Sequence, residues 1–248
     1  MILIISLSHA DTCEQIYFYN SDTNINNYKQ LKIEFDRFFG RIGKYTFQPF
    51  DDKNIFENQL KEKKFCMLIL SSWYLKDLQE KLSLIPILIA HRKGVDSQQI
   101  LLIKKVTSGN DKKVIPKGNL ASSMSNEYSK ALIKKILINS NYDHNLNVLR
   151  VPKDIDALMA VGFGMSTYAL STSHSFKMLS MINPPLYHKL TSIGQKVASP
   201  LMICAFLYNQ KHAKLIDAFV NIDKIPEGKN SIKMLGIDGF KMYKESNK

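Results

Sequence analysis

The fold is decided by residues 151–164, which read VPKDIDALMAVGFG, and by the apolar run YAL that follows at 168–170. The residues at 148–151 are mainly aliphatic and predict a β-strand. Asp154 can cap the helix that comes next. The apolar side of this helix carries Leu158, Met159 and Val161. The run at 168–170 predicts another strand, and strand, helix and strand in this order are the repeating unit of a parallel sheet.

The beginning of the chain carries the same alternation. Strands are predicted at 16–19, 45–50 and 65–70, and the last of these is apolar at every position, as in a strand buried on both faces. Between the first two strands, apolar side chains recur at helical spacing: Tyr28, Leu31, Phe35, Phe38, Phe39 and Ile42. Ligands of such sheets bind beyond the carboxyl ends of the strands, which places 20–22 and 71–74 at one rim.

A second block of alternating strands and helices follows in the later half of the chain, which ends with a further strand and helices. This order predicts an α/β protein of two lobes, each a mixed, mostly parallel sheet flanked by helices. We assign 11–97 together with 205–248 to lobe 1, and 98–204 to lobe 2. The chain has no long Gly/Ser/Pro linker, so we expect short crossings between the lobes.

Several segments, in their order and spacing, resemble the phosphate/phosphonate ABC-transporter substrate-binding proteins. The segment at 151–170 resembles the family's "DAL-A-V--G" helix and the strand after it. The other matching segments are 70–74, 182–186, 199–201, 226–229 and 235–240. The resemblance covers nearly the whole chain. It implies the periplasmic-binding-protein type II fold, a small anionic ligand between the lobes, and an ABC permease or a sensor protein as partner.

The sequence departs from the family's pattern at two places. The family's Ser-Thr-Ser-Gly-type loop corresponds to 121–126, which read ASSMSN and contain no glycine. An aspartate that precedes a strand in the family corresponds to Thr167 here. If that acid helps to bind an amino group, the resemblance favours phosphate or another oxyanion over an aminoalkylphosphonate. Loss of ligand binding is the alternative.

The candidate ligand site is a set of hydroxyl and amide donors at the rims of the two lobes. A helix N-terminus supplies free N–H groups to an oxyanion, and serines before it add donors. The candidate ligand-binding residues are Asn20, Ser21, Ser71, Ser72, Trp73, Tyr74, Ser122, Ser123, Ser125 and Thr172.

Each candidate also has a purely structural interpretation. Ser125 can act only as an N-cap, and the other serines as ordinary loop residues. Trp73 and Tyr74 either shield the ligand or pack between helix and sheet. Arg92 either meets an anion at the hinge or is solvated. Glu127, in the first turn of the helix behind Ser125, would repel an anion if it pointed inward.

The composition restricts the class of partner. The net charge is +12, but the basic residues occur as scattered pairs and are not interleaved with the aromatic side chains that stack on bases. We therefore exclude nucleic acid, whereas a positive field would speed the encounter with a small anion. The six histidines lack metal-site spacing, so no metal or cofactor is predicted.

The cysteines and the N-terminus bear on the cellular compartment. Cys66 and Cys204 lie in apolar strand-like runs and are predicted to be buried free thiols, while Cys13 follows a polar segment. Residues 1–10, MILIISLSHA, are a short apolar run ending in small-x-small. They are interpreted as an incomplete signal peptide, or otherwise as a first strand. The expected location is periplasmic or secreted.

The sequence thus predicts an extracytoplasmic binding protein, monomeric, that captures a small oxyanion between two lobes. It is not predicted to be an enzyme, because no nucleophile elbow and no paired acid and base are present. The alternatives are an orphan ligand sensor and a protein-interaction module on the same fold.

Overall fold

A computed structural model of the chain describes residues 14–20, 25, 27–62, 64–106, 118–138, 146–207 and 212–244. The predicted signal segment at 1–10, together with Cys13 and Ser21, lies outside these residues. The strands are β1 (Gln15–Tyr19), β2 (Thr46–Phe50), β3 (Phe65–Leu70), β4 (Leu84–His91), β5 (Ser97–Lys105), β6 (Asn119–Ser122), β7 (Asn147–Arg150), β8 (Tyr168–Thr172), β9 (Leu190–Pro200), β10 (Ile203–Leu207) and β11 (Gly239–Met242).

The helices are α1 (Tyr28–Gly40), α2 (Lys53–Leu60), α3 (Ser72–Leu82), α4 (Asn126–Ile136), α5 (Asp154–Gly162), α6 (Ser173–Ile182), α7 (Pro184–Tyr187), α8 (Ala213–Val220) and α9 (Pro226–Leu235), with a 3-10 turn at Ile222–Lys224. Polar side chains cap several of these helices, Ser125 as the sequence predicted. Asn27 caps α1 by accepting from Gln30 N at 2.8 Å. Ser125 caps α4 by accepting from Tyr128 N at 3.2 Å.

Each lobe is built on one mixed sheet. The sheet of lobe 1 has the strand order β11-β4-β10-β3-β1-β2, and that of lobe 2 has the order β7-β6-β8-β5-β9. In lobe 1, β1 pairs in parallel with β2 and β3, and β10 runs antiparallel between β3 and β4. In lobe 2, β6 pairs in parallel with β7 and β8, and β5 runs antiparallel between β8 and β9.

The two lobes therefore share one topology. In each, the strand that arrives from the other lobe is inserted antiparallel into the sheet. The chain crosses to lobe 2 between His91 and Ser97 and returns between Pro200 and Ile203. The boundaries assigned from the sequence need correction, because Ser97 already belongs to β5, and Ile203 and Cys204 already belong to β10. At the second crossing, Leu201 and Met202 are apolar, so no polar break marks the boundary there.

The apolar core shows how closely the lobes pack. One side of the lobe 1 sheet is covered by α1, α8 and α9, with Phe35, Phe39 and Phe219 among the buried side chains. Another cluster of buried side chains is continuous across both lobes, from Tyr19 and Trp73 in lobe 1 to Leu132 in lobe 2. A core shared in this way means that the lobes are closed on each other.

Cys66 and Cys204 differ in oxidation state. Cys204 is a buried free thiol, as predicted, and burial raises its pKa. The prediction of a free thiol at Cys66 is wrong, because Cys66 is disulfide-bonded. Disulfide pairing depends on the distance and direction of the β-carbons in space, which the spacing of cysteines along the chain does not show.

Gly228 allows α9 to pack closely on the 3-10 turn. A β-carbon added to Gly228 would lie 2.1 Å from the carbonyl oxygen of Ile222, whereas one added to Gly40 would meet nothing within 4 Å. We expect Gly228→Ala to lower the free energy of unfolding by about 1–3 kcal/mol, as overpacking does. Gly40→Ala is the matched control, expected to be neutral or slightly stabilising. Equal urea midpoints for the two variants would contradict this explanation.

Candidate functional site

The candidate site lies where the two lobes meet. The hydroxyl of Ser72, at the start of α3, donates to the carbonyl oxygen of Pro200 at 3.0 Å. Beside it, the ring of Trp73 stacks on Tyr128 of α4, with 6.0 Å between ring centroids and 18° between ring planes. The hydroxyls of Tyr128 and Ser199 lie 3.4 Å apart. These contacts join α3 of lobe 1 to α4 and β9 of lobe 2.

Lobe 1 presents the ends of β1 and β3 to this interface. Asn20 follows β1 and Ser71 follows β3, and both are buried. The Ser71 hydroxyl donates to Oδ1 of Asn20 at 3.0 Å. The structure therefore brings together these candidates, which are 51 residues apart in the chain. Adjacent parallel strands end at the same edge of a sheet, which is the reason that the sequence predicted this proximity.

The two candidate aromatic residues have different surroundings. Trp73 is 1% exposed and faces the other lobe through Tyr128. Tyr74 is equally buried but packs inside lobe 1, where its hydroxyl donates to Glu57 Oε1 at 2.7 Å. Burial raises the pKa of Tyr74, and the Glu57 carboxylate raises it further. Tyr74 thus has the packing role, while Trp73 forms part of the interface between the lobes.

Residues 122–125 form a buried loop before α4, here called the serine loop. The hydroxyl of Ser122 accepts from Met124 N at 3.1 Å and from the Ser129 hydroxyl at 2.8 Å. Ser125 caps α4, as described above. Both hydroxyls therefore have roles in holding the loop against the first turns of the helix.

Ser123 differs from the other members of the serine loop. It is 1% exposed, and its Oγ has no hydrogen-bond partner within the described part of the chain. A buried hydroxyl without a partner costs roughly 1–3 kcal/mol. It lies before the N-terminus of α4, where backbone N–H groups and the helix dipole favour an anion. Ser123 is therefore the candidate whose hydroxyl would gain a hydrogen bond from a bound ligand.

Asp154 was not among the predicted site residues, yet it organises one side of the site. Lys153 holds the N-cap position of α5, so the predicted capping role of Asp154 is wrong. The Asp154 carboxylate accepts from the N–H and the hydroxyl of Thr172, both at 2.8 Å, and from the Ser171 hydroxyl at 3.1 Å. Thr172 in turn caps α6 by accepting from Ser175 N at 3.0 Å. The candidate Thr172 therefore holds β8, α5 and α6 together.

Carboxylates lie on the outer side of the serine loop. Asp77 of α3 lies close enough to Ser125 of lobe 2 for the two side chains to interact. The pKa of Asp77 is raised, because partial burial outweighs the lowering effects of Lys53 and of the Ser125 hydroxyl. A groove outside the serine loop is lined by Asp77, Lys81 and Ser125, and by Glu127, which is exposed. The groove thus combines charges of both signs, so its electrostatic preference for an anion is weak.

The described residues include no group of three or more His, Cys, Asp and Glu side chains that could hold a metal ion. None of their helices is both long and apolar enough to cross a membrane.

Neither a protein-family model nor a curated protein matches the sequence. Solved structures do match. A binding protein component of an ABC phosphonate transporter from Pseudomonas aeruginosa superposes with a TM-score of 0.71 at 15% identity, over 93% of this chain and 82% of that chain. PhnD1 from Prochlorococcus marinus in complex with methylphosphonate gives 0.69 at 10% identity, over 93% and 92%. A histidine kinase sensor domain similar to periplasmic binding proteins gives 0.57 at 13% identity, over 92% and 98%.

These likenesses, with the repeated sheet topology, define the class of fold. The chain has the two-lobed, type II fold of periplasmic binding proteins, as the sequence predicted. Its structural neighbours include phosphonate-transporter binding proteins, the family that the segments at 151–170 and 226–240 resemble.

Proposed function

We propose that the chain is an extracytoplasmic, monomeric binding protein that captures a small oxyanion, phosphate or phosphonate-like, between its lobes. No chemical reaction is part of this function. The anion lies against the serine loop at the start of α4, and Asn20, Ser71 and Ser72 approach it from lobe 1. Transport and sensing both begin with this capture, so either an ABC permease or a sensor protein fits as the partner.

The observation that carries the proposal is the Ser123 hydroxyl. It is buried at a helix N-terminus and has no hydrogen-bond partner among the residues that the structure describes, and an anion would accept a hydrogen bond from it. Hydrogen bonds to charged acceptors contribute about 1.5–3 kcal/mol, more than those between neutral groups. An oxyanion at this position therefore removes an energetic cost and adds a favourable contact.

The disulfide at Cys66 supports the proposed location. Disulfides persist in oxidising compartments such as the periplasm and are rare in the cytosol. The net charge of +12 supports the ligand class, because a positive field raises the rate at which small anions arrive.

Calorimetric titration with phosphate, methylphosphonate and sulfate tests the proposal. We expect at least one to bind, and Ser123→Ala to weaken it by about tenfold, the effect of losing one hydrogen bond to a charged group. Ser192→Ala is the matched control, because Ser192 is exposed on β9. Trp73 is the sole tryptophan and is buried between the lobes, so its emission reports closure independently. The absence of heat and of any emission change with all the oxyanions would refute the proposal.

A further inference from the structure

A cavity lies beside the two chain crossings and is here called the hinge cavity. Its volume is about 130 Å³. The first crossing contributes Arg92, and the second contributes Leu201 and Met202. Lobe 2 adds the start of α6, and lobe 1 adds the end of α9. Because its walls come from both lobes and both crossings, a molecule bound there would touch every part that moves when the lobes open.

The polar side of the hinge cavity is basic. Arg92, His174 and Lys233 line it, one each from the crossing, lobe 2 and lobe 1. Within the described ranges, no Asp or Glu side chain is among its lining residues. Asp238 lies close enough to Arg92 to act on its charge. Arg92 Nε donates to the carbonyl oxygen of Gly236, which fixes the guanidinium at the cavity wall.

The other side of the hinge cavity is apolar and adaptable. Met178, Met202 and Met234 line it together with Leu201. Methionine side chains are flexible and polarisable, and they adjust to ligands of different shapes. A cavity with cations on one side and thioethers on the other suits a molecule with an anionic head and a short apolar substituent.

We propose that the hinge cavity binds the oxyanion head group of a small organic anion, with its apolar substituent against the methionines. The head group contacts Arg92, His174 and Lys233, and an alkylphosphonate or a short carboxylate supplies the required chemistry. Asn20, which approaches the serine loop from lobe 1, also lines this cavity, whereas none of residues 122–125 does, so the two sites are neighbours that share one wall. Occupancy stabilises the closed form, because the ligand bridges α6 of lobe 2 and α9 of lobe 1.

The pKa of His174 can report whether the hinge cavity is occupied, because its imidazole lies among charged groups. Burial lowers the pKa of His174, and the positive charges of Arg92 and Lys177 lower it further. Lys233 faces the same cavity from α9, and Asp238 acts on Arg92. A bound anion favours the protonated imidazole, so it raises the pKa of His174. By linkage, binding tightens as the pH falls through this pKa, where His174 gains its positive charge.

The test follows the imidazole signals of the folded protein by NMR as the pH is varied. His174→Gln identifies the His174 signal, and the probes are propylphosphonate, butyrate and inorganic phosphate. We expect one organic probe to move the His174 titration to higher pH by roughly one unit. The organic probe that saturates at the lower concentration identifies the head group, and inorganic phosphate should bind more weakly than that probe.

Two variants separate this site from the serine loop. Arg92→Gln should abolish the shift, whereas Arg37→Gln, which removes the same charge at an exposed position of α1, should leave it unchanged. Ser123→Ala should also leave the shift intact, even where it weakens capture at the serine loop. The proposal is overturned if neither organic probe moves the titration, if inorganic phosphate does so equally well, or if both arginine variants reduce the shift alike.

Discussion

Replacing Asp154 with alanine is expected to lower the free energy of unfolding by about 3–5 kcal/mol, a large effect for one side chain. Asp154 is 2% exposed and joins the start of α5 to the end of β8. Its carboxylate accepts from the N–H and the hydroxyl of Thr172 and from the hydroxyl of Ser171. Alanine leaves the Thr172 N–H buried without this acceptor, and a buried donor without a partner costs roughly 1–3 kcal/mol. The two hydroxyls lose a bond to a charged acceptor, worth about 1.5–3 kcal/mol, and keep only neutral ones, the carbonyl oxygen of Thr172 and Oγ of Ser175.

Urea denaturation followed by far-ultraviolet circular dichroism measures this loss. Asp154→Asn is the matched control, because its side-chain oxygen still accepts from part of the same set of donors, and a smaller loss is expected. Asp156→Ala is a second control, since the Asp156 carboxylate accepts from a single donor within the described part of the chain, Lys153 N at 3.1 Å. If Asp154→Ala were as stable as the natural protein, the carboxylate would not be what holds β8 to α5.

The serine loop illustrates how far local sequence reasoning extends. Ser125 was predicted as an N-cap because the capping contact spans only three residues, and the structure shows that contact. The alternation of strands and helices likewise depends on local periodicity, which predicted two lobes of mixed sheet. The approach of Asn20 to Ser71 followed from a general rule, because neighbouring parallel strands end at one edge.

The contacts that sequence reasoning missed are those between distant segments. Ser199 and Asp77 meet the candidate site only because the lobes close, and their neighbours in the sequence carry no sign of it. Asp154 looked like an ordinary helix cap, because its true partners are 17 and 18 residues further along the chain. The disulfide at Cys66 was missed for the same reason. Pairings of this kind depend on the three-dimensional path of the chain, not on residue type or spacing.

Replacing Trp73 with alanine should produce the other large effect, on stability and on ligand capture together. Trp73 is 1% exposed in the apolar cluster that both lobes share, and truncating such a side chain costs about 3–5 kcal/mol. Its ring also stacks on Tyr128 across the lobes. An aromatic pair contributes about 0.5–1.5 kcal/mol beyond burial, so its loss should weaken any ligand that requires closure by up to about tenfold.

A double-mutant cycle separates the two parts of this effect. Trp73→Phe keeps an aromatic ring at the interface and is the matched control, with a smaller expected loss of both stability and affinity. Combining Trp73→Ala with Tyr128→Ala should give a coupling energy of about 0.5–1.5 kcal/mol in unfolding measurements. A coupling energy near zero without ligand would contradict the closed arrangement of the free protein. A coupling that appeared only with ligand bound would place the stacked pair among the contacts made on closure, and ligand binding would then have to supply its energy.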